Sequence, residues 1–500
     1  MPVRPLSRSD MWLMPPSLDE LIPQNHPARF VAAFVGALDR SAWDELGIRV
    51  DGEPLGAPEY HPRGLLSVWL YGFMTRTRSS RKLEMACRDQ IPYLWLTGWQ
   101  HPDHNTLWRF YHDHRDCMRT LLKRTVQTAI KLDLVDLAVQ AVDGTKIAGN
   151  ASRNRTYDAL QLKGLLERTE KTIEALEKEN EEGNDPAPVN LPEKLAEAQR
   201  LQEQVRVAMK ELTEEGKKRI NLTDGDAELM KGGQGMVVGF NAQAMVSPVK
   251  IEGKHTGLMI TAADVSTCAS DPGNLVPMLD QAEENTGRCA SVSLADASYH
   301  SGPNLEACAE RKQVIVMPEL QQRALESPYH KDHFKLDKDA DIYTCPQGQV
   351  LHFQGMKKTK GIPVRLYRAS ASVCRQCPAF GTCTKNTYGR AMEIRPQDAQ
   401  LRQHRAWMAT AQAREAYRRR KELPEPAFGI LKEQMGMRHF LLRGLSNVKA
   451  EWITAVTAFN LRSLWRCWLK GKLQDLRLVT LQNVSACDSP TPDLIHAGHE

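Results

Sequence analysis

The sequence has no long uninterrupted run of apolar residues, and this absence limits what the protein can be. A helix needs about 20 consecutive apolar residues to cross a membrane, and no segment of the 500 residues approaches that length. The amino terminus also lacks the charged, apolar and small-residue regions that mark a secretory signal peptide. The cysteines number eleven, which is odd, and most are scattered, so a disulfide framework is not indicated. We therefore expect a cytoplasmic protein that does not span a membrane.

The sequence also has little net charge, only +5 over its whole length, but its basic residues are unevenly distributed. Residues 355–390 contain eight Lys or Arg and no acidic residue, and residues 402–421 contain seven basic residues and one Glu. Such blocks are often no more than solvated faces. Two of them in one chain also fit a surface that follows nucleic-acid phosphates, and the sequence leaves both interpretations open.

The amino-terminal quarter of the chain predicts helices. An apolar stretch follows His61-Pro62, a second helix could begin at Ser79-Ser80, and a third could begin after residues 102–105. Three short helices joined by polar turns suit a helix-turn-helix-like DNA binder, but they are also typical of a small helical bundle. We predict that residues 1–130 form a helical amino-terminal domain that binds DNA.

The next part of the chain alternates between strands and helices. A short apolar run at 137–142 predicts a strand that ends in a turn at Asp143-Gly144. Two apolar stripes within residues 157–215, interrupted at residues 183–186, predict an inserted antiparallel helical hairpin. Further strands are predicted at 236–245, 257–263, 291–295 and 314–317, with helices near 275–281 and from Asn304.

Without the hairpin, this order of strands and helices is that of a ribonuclease H-like α/β core, a mixed sheet flanked by helices. The core would have its first strand within 131–156, would continue at 216–320, and would end in carboxy-terminal helices within 401–470. A basic, cysteine-containing loop would be inserted at 321–400. The helices near the carboxy end are predicted at 401–422, 426–435 and 450–469, and residues 471–500 show no period and are expected to be an unstructured tail.

Three acidic residues stand where separate elements could bring them together. Asp143 and Asp296 each end a predicted strand, and Glu425 lies between two prolines at the start of a helix. Sites in open α/β sheets form at strand ends. Two divalent ions held by carboxylates can cut and rejoin a phosphodiester. Each aspartate also has a structural interpretation, Asp143 as part of a turn and Asp296 as a helix N-cap.

Four ordered segments carry a resemblance to a known family: VDGTKIAGNAS, GFNAQAMV, LADASYHSGPN and EPAFGILK followed by GMRHFLLRGLSNVKAEW. They resemble the successive motif blocks of DDE transposases from bacterial insertion sequences. The stretches YHPRGLLSVWLYGFMTRTRSSRKLEMACRD and HPDHNTLWRFYH are similar to the helical domain that precedes the catalytic core in that family. The resemblance covers roughly residues 15–465.

The resemblance implies a catalytic triad of Asp143, Asp296 and Glu425 that binds Mg²⁺ or Mn²⁺. It also implies DNA as partner, both the terminal inverted repeats and the target, and a homodimer or larger assembly on DNA. The residues that it suggests for contacting DNA are Lys432, Tyr417, Arg420, Arg443, Asn241 and Gln243.

Three parts of this correspondence leave alternatives open. Arg420 stands five residues before Glu425, one more than the common spacing in the family, which puts the roles of Tyr417 and Arg420 in doubt. Glu422 and Glu433 lie close enough in sequence to compete with Glu425 as third ligand. Asn241 and Gln243 alternate along one predicted strand, so they could equally form a polar strand face.

Four cysteines lie within 39 residues: Cys345, Cys374, Cys377 and Cys383. A Cys-x2-Cys pair with further cysteines nearby resembles a small zinc-binding site, so the segment could hold a structural Zn²⁺. The spacing departs from the usual two pairs, because Cys345 stands alone. The alternative is a reduced loop in which the thiols pack as small apolar groups.

The expected activity is DNA cleavage and strand transfer by metal-dependent phosphoryl transfer. Two rival functions use the same residues or the same fold. A DDE-type nuclease would cut DNA without joining it, and a catalytically silent relative would only bind it.

Overall fold

A computed structural model describes residues 17–51, 59–181, 191–233, 235–320, 326–359 and 361–470. Its α-helices are α1 (Pro27–Gly36), α2 (Arg40–Glu45), α3 (Pro62–Met74), α4 (Ser80–Asp89), α5 (Ile91–Thr97), α6 (His104–Asp113), α7 (Met118–Lys131), α8 (Ala159–Glu181), α9 (Leu191–Glu214), α10 (Leu275–Thr286), α11 (Gly302–Glu310), α12 (Ala371–Gln376), α13 (Asp398–Ala409), α14 (Ala411–Arg418), α15 (Pro424–Gly429) and α16 (Leu445–Leu469). Its strands are β1 (Gln140–Ala148), β2 (Thr156–Tyr157), β3 (Ile220–Asn221), β4 (Glu228–Gly232), β5 (Gly235–Ile251), β6 (Lys254–Ser266), β7 (Val292–Leu294), β8 (Val314–Val316), β9 (Lys335–Asp337), β10 (Ile342–Thr344), β11 (Val350–Thr359), β12 (Ile362–Ala369) and β13 (Ala391–Ile394).

The central feature is a mixed sheet with β1 in its interior. The order across this sheet is β4-β5-β1-β7-β8, and β6 pairs with β5. β1 is antiparallel to β5 and parallel to β7, and β7 is parallel to β8. The helix α10 connects β6 to β7 and α11 connects β7 to β8, so the mixed α/β class predicted from the sequence is confirmed.

The first strand is longer than predicted, and Asp143-Gly144 is not a turn. β1 continues to Ala148 and pairs with β5 along its whole second half, with Gly144 opposite Gln243. A Cβ atom on Gly144 would lie 2.3 Å from Gln243 Nε2, which is far inside contact distance. The glycine is therefore needed for close packing against the neighbouring strand and not for a chain reversal.

The amino-terminal helices share one hydrophobic core with the sheet. The cluster runs from Phe30 and Trp69 through Val246 on β5 to Trp452 on α16. The long helix α16 packs on β6, α7 and α3, so it contacts both the sheet and the amino-terminal helices. The third predicted helix, which was expected to continue to Leu121 and Leu122, is divided into α6 and α7, and three further described helices, α1, α2 and α5, complete this layer.

The predicted helical hairpin is present as α8 and α9, which pack against each other over a small core of their own containing Leu162, Val205 and Ile220. The predicted break at residues 183–186 lies outside the described residues.

The prediction of a loop insertion at 321–400 is wrong. The described residues between 321 and 400 form an antiparallel sheet with the order β13-β12-β11-β10-β9. This sheet has a separate core that includes Phe334, Tyr343, Leu351 and Tyr367. One face of it is open to solvent, so polar and basic residues interrupt the apolar pattern on which strand prediction depends.

The two long helices predicted over 401–435 are broken into shorter pieces. Thr410 caps α14, its hydroxyl accepting a hydrogen bond from the Ala413 amide. A 3₁₀ turn at Arg419–Glu422 precedes α15, and a π-helical turn at Ile430–Gln434 follows it. No helix in the described segments is both long and apolar enough to cross a lipid bilayer.

Candidate active site

Asp143 lies on β1, and Asp296 lies just after the neighbouring parallel strand β7. Gln140 on β1 is opposite Ser293 on β7, and Ala141 is opposite Leu294. Asp143 and Asp296 each follow the last of these pairs by two residues, and the charge of Asp296 acts on the Asp143 carboxylate. Neighbouring strands are about 4.8 Å apart, and matching positions share a face of the sheet. The two acidic residues, separated by more than 150 positions in sequence, therefore meet at one edge of the fold.

The Asp143 carboxylate is mostly buried and has two fixed partners. Its Oδ1 accepts a hydrogen bond from the Gly144 amide at 2.8 Å, and its Oδ2 lies 3.0 Å from Arg420 Nη1. Burial raises the pKa of Asp143 above its ordinary value, and the nearby Asp296 carboxylate adds to the rise. Arg420 and the Gly144 amide oppose this rise without cancelling it.

Arg420 and Tyr417 reach the same place from the second basic block. The Arg420 guanidinium lies 5.9 Å from the centre of the Tyr417 ring, a distance at which a cation and a ring attract each other. Burial raises the pKa of Tyr417, and the Asp296 and Asp143 carboxylates add to that rise. The extra residue between Arg420 and Glu425 therefore does not remove Arg420 from the site.

Asp296 is both an N-cap, as its structural interpretation predicts, and an acidic side chain close to Asp143. It is the N-cap of the 3₁₀ turn Ala297–Tyr299, and its Oδ1 accepts a hydrogen bond from the Ser298 amide at 2.8 Å. The Ser298 hydroxyl also contacts Asp296 Oδ1. The cap fixes the carboxylate at the end of β7 and leaves it next to Asp143.

Asp271 is a site residue that the sequence reasoning missed. Its carboxylate accepts hydrogen bonds from Asn241 Nδ2 at 2.7 Å and Gln243 Nε2 at 3.0 Å, and from Ser298 Oγ at 2.9 Å. Lys146 Nζ lies 3.4 Å from it. The sequence feature that could have indicated it is Ser270-Asp271-Pro272, where an acidic residue follows a predicted strand and precedes a predicted helix.

The expectation that Asn241 and Gln243 contact DNA is not supported by their positions. Both side chains are completely buried, with 0% of their surface exposed. Their amides are directed at Asp271, and Gln243 Oε1 accepts the hydroxyl of Tyr299. A polar strand face was the alternative, and the structure shows such a face buried inside the protein.

Lys432 and Arg443 are placed differently. Lys432 lies in the π-helical turn, is half-buried, and its Nζ donates a hydrogen bond to Thr145 Oγ1 on β1. Burial lowers the pKa of Lys432, and the neighbouring Arg438 adds to that effect. Arg443 is exposed, and its Nε donates to the Asn150 carbonyl oxygen at 3.0 Å. Lys432 is therefore a second cation near Asp143, in addition to Arg420, and Arg443 lies on the outer surface.

Glu425 is exposed in the first turn of α15, and among the described residues it has no hydrogen bond or ion pair. Its two competitors are no better placed. Glu433 forms a surface ion pair with Arg438 at 2.6 Å, and Glu422 is exposed. No three acidic, histidine or cysteine side chains in the described segments are arranged to hold a metal ion. The structure thus brings together two of the three predicted ligands.

The four cysteines belong to the small antiparallel sheet and its surroundings. The Gln349 amide donates to Cys345 Sγ at 3.2 Å, and the Arg390 amide donates to Cys374 Sγ at 3.3 Å. Burial raises the pKa of Cys383, and the nearby thiols of Cys345, Cys374 and Cys377 add to it. These thiols are neighbours, but within the described residues no three are positioned around one metal ion. Zinc binding stays a prediction.

The donor chemistry at Asp143 and Asp296 fits a hard divalent cation. Mg²⁺ prefers oxygen ligands and is commonly bound by one or two carboxylates together with phosphates of the substrate. Asp143 on β1 and Asp296 just after the adjacent strand β7 supply two such carboxylates.

Two family models match the chain. Residues 344–465 match the model described as Transposase DDE domain, and residues 16–113 match the model described as Transposase domain (DUF772). Both matched segments are therefore similar to transposase domains, and the carboxy-terminal one is similar to a DDE domain. No curated protein and no solved structure is similar enough to this chain to count as a match.

The matched segments of the chain include Tyr417, Arg420, Glu425 and Lys432, and they leave out Asp143 and Asp296. The roles of these two aspartates therefore rest on the register of β1 and β7 and on the motifs around them.

Proposed function

We propose that this protein is a DDE transposase, which cleaves DNA at the ends of an insertion sequence and joins those ends to target DNA, with Asp143, Asp296 and Glu425 holding Mg²⁺ or Mn²⁺. The main support is the parallel pairing of β1 with β7, because Asp143 and Asp296 each lie two residues beyond the pair Ala141–Leu294, and Arg420 and Lys432 are close to Asp143. When bound, the metal would activate the attacking oxygen and neutralise the leaving oxygen of a phosphodiester.

The residues of the chain itself have separate tasks in this proposal. Arg420 opposes the rise that burial causes in the pKa of Asp143, by direct contact at 3.0 Å, and so favours the ionised carboxylate. Lys432 offers a positive charge to a DNA phosphate close to the aspartates, because its amino group contacts Thr145, two residues from Asp143. Glu425 would complete the ligand set by a movement of α15, since it is exposed in the structure.

The order of elements supports a ribonuclease H-like core. β1, β5, β6, α10, β7, α11 and β8 follow one another in the order expected for that fold, and α13 to α16 come after the small sheet. We also propose that the amino-terminal helices recognise the terminal inverted repeats and that the protein acts as a homodimer or larger assembly. Because these helices share a core with the sheet, recognition should be measured on the intact chain.

The test uses the purified full-length protein, a labelled DNA duplex that carries an element end, and a plasmid target. With Mg²⁺ or Mn²⁺ present, the proposal predicts cleaved ends and a labelled product joined to the plasmid. Free ends without joined product would indicate a nuclease. Binding without cleavage under either metal would indicate a silent DNA-binding relative and contradict the proposal.

A further inference from the structure

Asp271 is the centre of a polar group that lies against the two aspartates. Its side chain is 15% exposed, and it follows β6 at the start of a short 3₁₀ turn. Its Oδ1 is within hydrogen-bonding distance of Asn241, Gln243 and Lys146, at 2.7, 3.0 and 3.4 Å, and its Oδ2 accepts from Ser298 at 2.9 Å. The contacts come from β1, β5 and the turn after β7, so one carboxylate joins three parts of the site.

These contacts leave Asp271 little capacity to bind anything else. Each carboxylate oxygen offers about two lone-pair positions. Three donors lie around Asp271 Oδ1, and Ser298 occupies one position of Oδ2. Its chemistry is therefore that of an organiser of side chains, in contrast to Asp143 and Asp296.

The turn that carries Asp296 is attached to this group at two points. The Ser298 hydroxyl lies between Asp271 and Asp296 and contacts both carboxylates. The Tyr299 hydroxyl donates to Gln243 Oε1, and Gln243 in turn donates to Asp271. Since Asp296 is the N-cap of this turn, any rotation of the turn would move its carboxylate.

The residues around Asp271 leave space for its carboxylate and for the side chains that contact it. A Cβ atom on Gly144 would lie 2.8 Å from Asp271 Oδ1, so a glycine next to Asp143 makes room for it. Asn241 is fully buried, yet its Oδ1 has no hydrogen-bond partner in the described part of the chain and lies on the same side, 2.9 Å from that Cβ position. Its amide cannot turn over, because Nδ2 donates to the Cys268 carbonyl oxygen and to Asp271.

We propose that Asp271 is a positioning residue of the candidate active site, which acts through Ser298 to fix the Asp296 carboxylate beside Asp143. The inference rests on the proposed function where it concerns the metal, and on the hydrogen bonds alone where it concerns the turn. Outer hydrogen-bond partners of metal-binding side chains typically change metal affinity by about 10- to 100-fold when they are removed.

The test compares Asp271→Asn with a matched control, Asp280→Asn, in the full-length protein. Asp280 is an exposed acidic residue on α10 that pairs with Arg311, the residue just after α11. Asp280→Asn therefore also removes one negative charge, but at a position away from the site. Two quantities are measured: Mn²⁺ affinity by electron paramagnetic resonance, and hydrogen exchange of the peptide that contains residues 296–299. For Asp271→Asn we expect faster exchange in that peptide and an affinity about 10- to 100-fold weaker, with neither change in the control.

A second pair of variants keeps the test decisive if Asp271→Asn does not fold. Ser298→Ala removes the hydroxyl that links Asp271 to Asp296, and Ser298→Thr retains a hydroxyl. We expect the alanine variant to reproduce the loss of Mn²⁺ affinity and the threonine variant to restore most of it.

The outcomes separate this inference from the proposed function. Unchanged exchange at 296–299 in folded Asp271→Asn would overturn the inference, and so would faster exchange with unchanged Mn²⁺ affinity. Failure of the wild-type protein to bind Mn²⁺ and to cleave DNA would overturn the proposed function, and the exchange measurement would still decide whether Asp271 holds the turn.

Discussion

Replacing Arg78 should destabilise the fold strongly, because this residue forms a buried ion pair between the amino-terminal helices and α16. The Arg78 and Glu451 side chains are 5% and 2% exposed, and Arg78 Nη1 lies 2.6 Å from Glu451 Oε1. Arg78 Nη2 also donates to the carbonyl oxygens of Gly436 at 2.6 Å and His439 at 3.2 Å. Arg78→Met would remove these bonds and leave the Glu451 carboxylate buried beside an apolar side chain.

The expected loss is about 3–5 kcal/mol in the free energy of unfolding, the usual result of removing one partner of a buried pair. The Leu441 and Leu442 amides still donate to Glu451, at 3.0 and 3.1 Å, and should hold the loss near the lower end. Urea denaturation followed by fluorescence gives the measurement. The matched control is Arg88→Met, which removes an arginine that is 57% exposed and paired with Glu84 at 2.7 Å within α4. Such an exposed pair contributes about 0–1 kcal/mol.

A second substitution tests the physical cause. In the double variant Arg78→Met with Glu451→Gln, the buried charge is gone and the glutamine oxygen can still accept a main-chain amide. The double variant should therefore recover part of the stability lost in Arg78→Met. A decrease of less than about 1 kcal/mol in the free energy of unfolding of Arg78→Met would contradict this explanation. A double variant less stable than Arg78→Met would contradict it as well.

Three further predictions concern the site and the small sheet. Gly144→Ala should lower the free energy of unfolding by about 1–3 kcal/mol, because the added methyl group would meet Gln243 Nε2 at 2.3 Å; an unchanged denaturation midpoint would contradict the packing. Lys432→Ala should weaken binding to cognate and random DNA alike and reduce the slope of log affinity against log salt by about one; parallel binding isotherms that superimpose on the wild type would leave Lys432 without a DNA contact. Elemental analysis of the purified protein should find one Zn²⁺ per chain, lost in Cys377→Ser, if the four cysteines bind zinc; a metal-free protein of normal stability would favour reduced, packed thiols.

Two strands of the sheet, β7 and β8, could be predicted from the sequence because they are short, apolar and bounded by turn residues. The runs at 291–295 and 314–317 appear as β7 and β8, and the predicted α10 begins at Leu275 as expected. The end of β1 could not be predicted, because Asp-Gly is common in turns and only the tertiary contact with Gln243 reveals why a glycine is needed there.

In the candidate site, too, some residues could be predicted from the sequence and others could not. Asp143 and Asp296 could be identified because each follows an apolar strand, and the parallel register then brings them together. Asp271 could not be identified, because its donors come from residues 125 positions away at Lys146 and 27 positions away at Ser298. Burial of Asn241 and Gln243 was equally hidden, since alternating polar residues on a strand usually face solvent.

We propose that Asp143 and Asp296 act together in metal-dependent cleavage of DNA. The decisive experiment measures the rate of cleavage of an element end by Asp143→Asn and Asp296→Asn, each compared with Asp280→Asn and the wild type at matched DNA occupancy. We expect both site variants to lose cleavage by at least about 100-fold with Mg²⁺ or Mn²⁺ while binding DNA normally, and the control to keep the wild-type rate. Cleavage at the wild-type rate by either site variant would show that the replaced aspartate is not required.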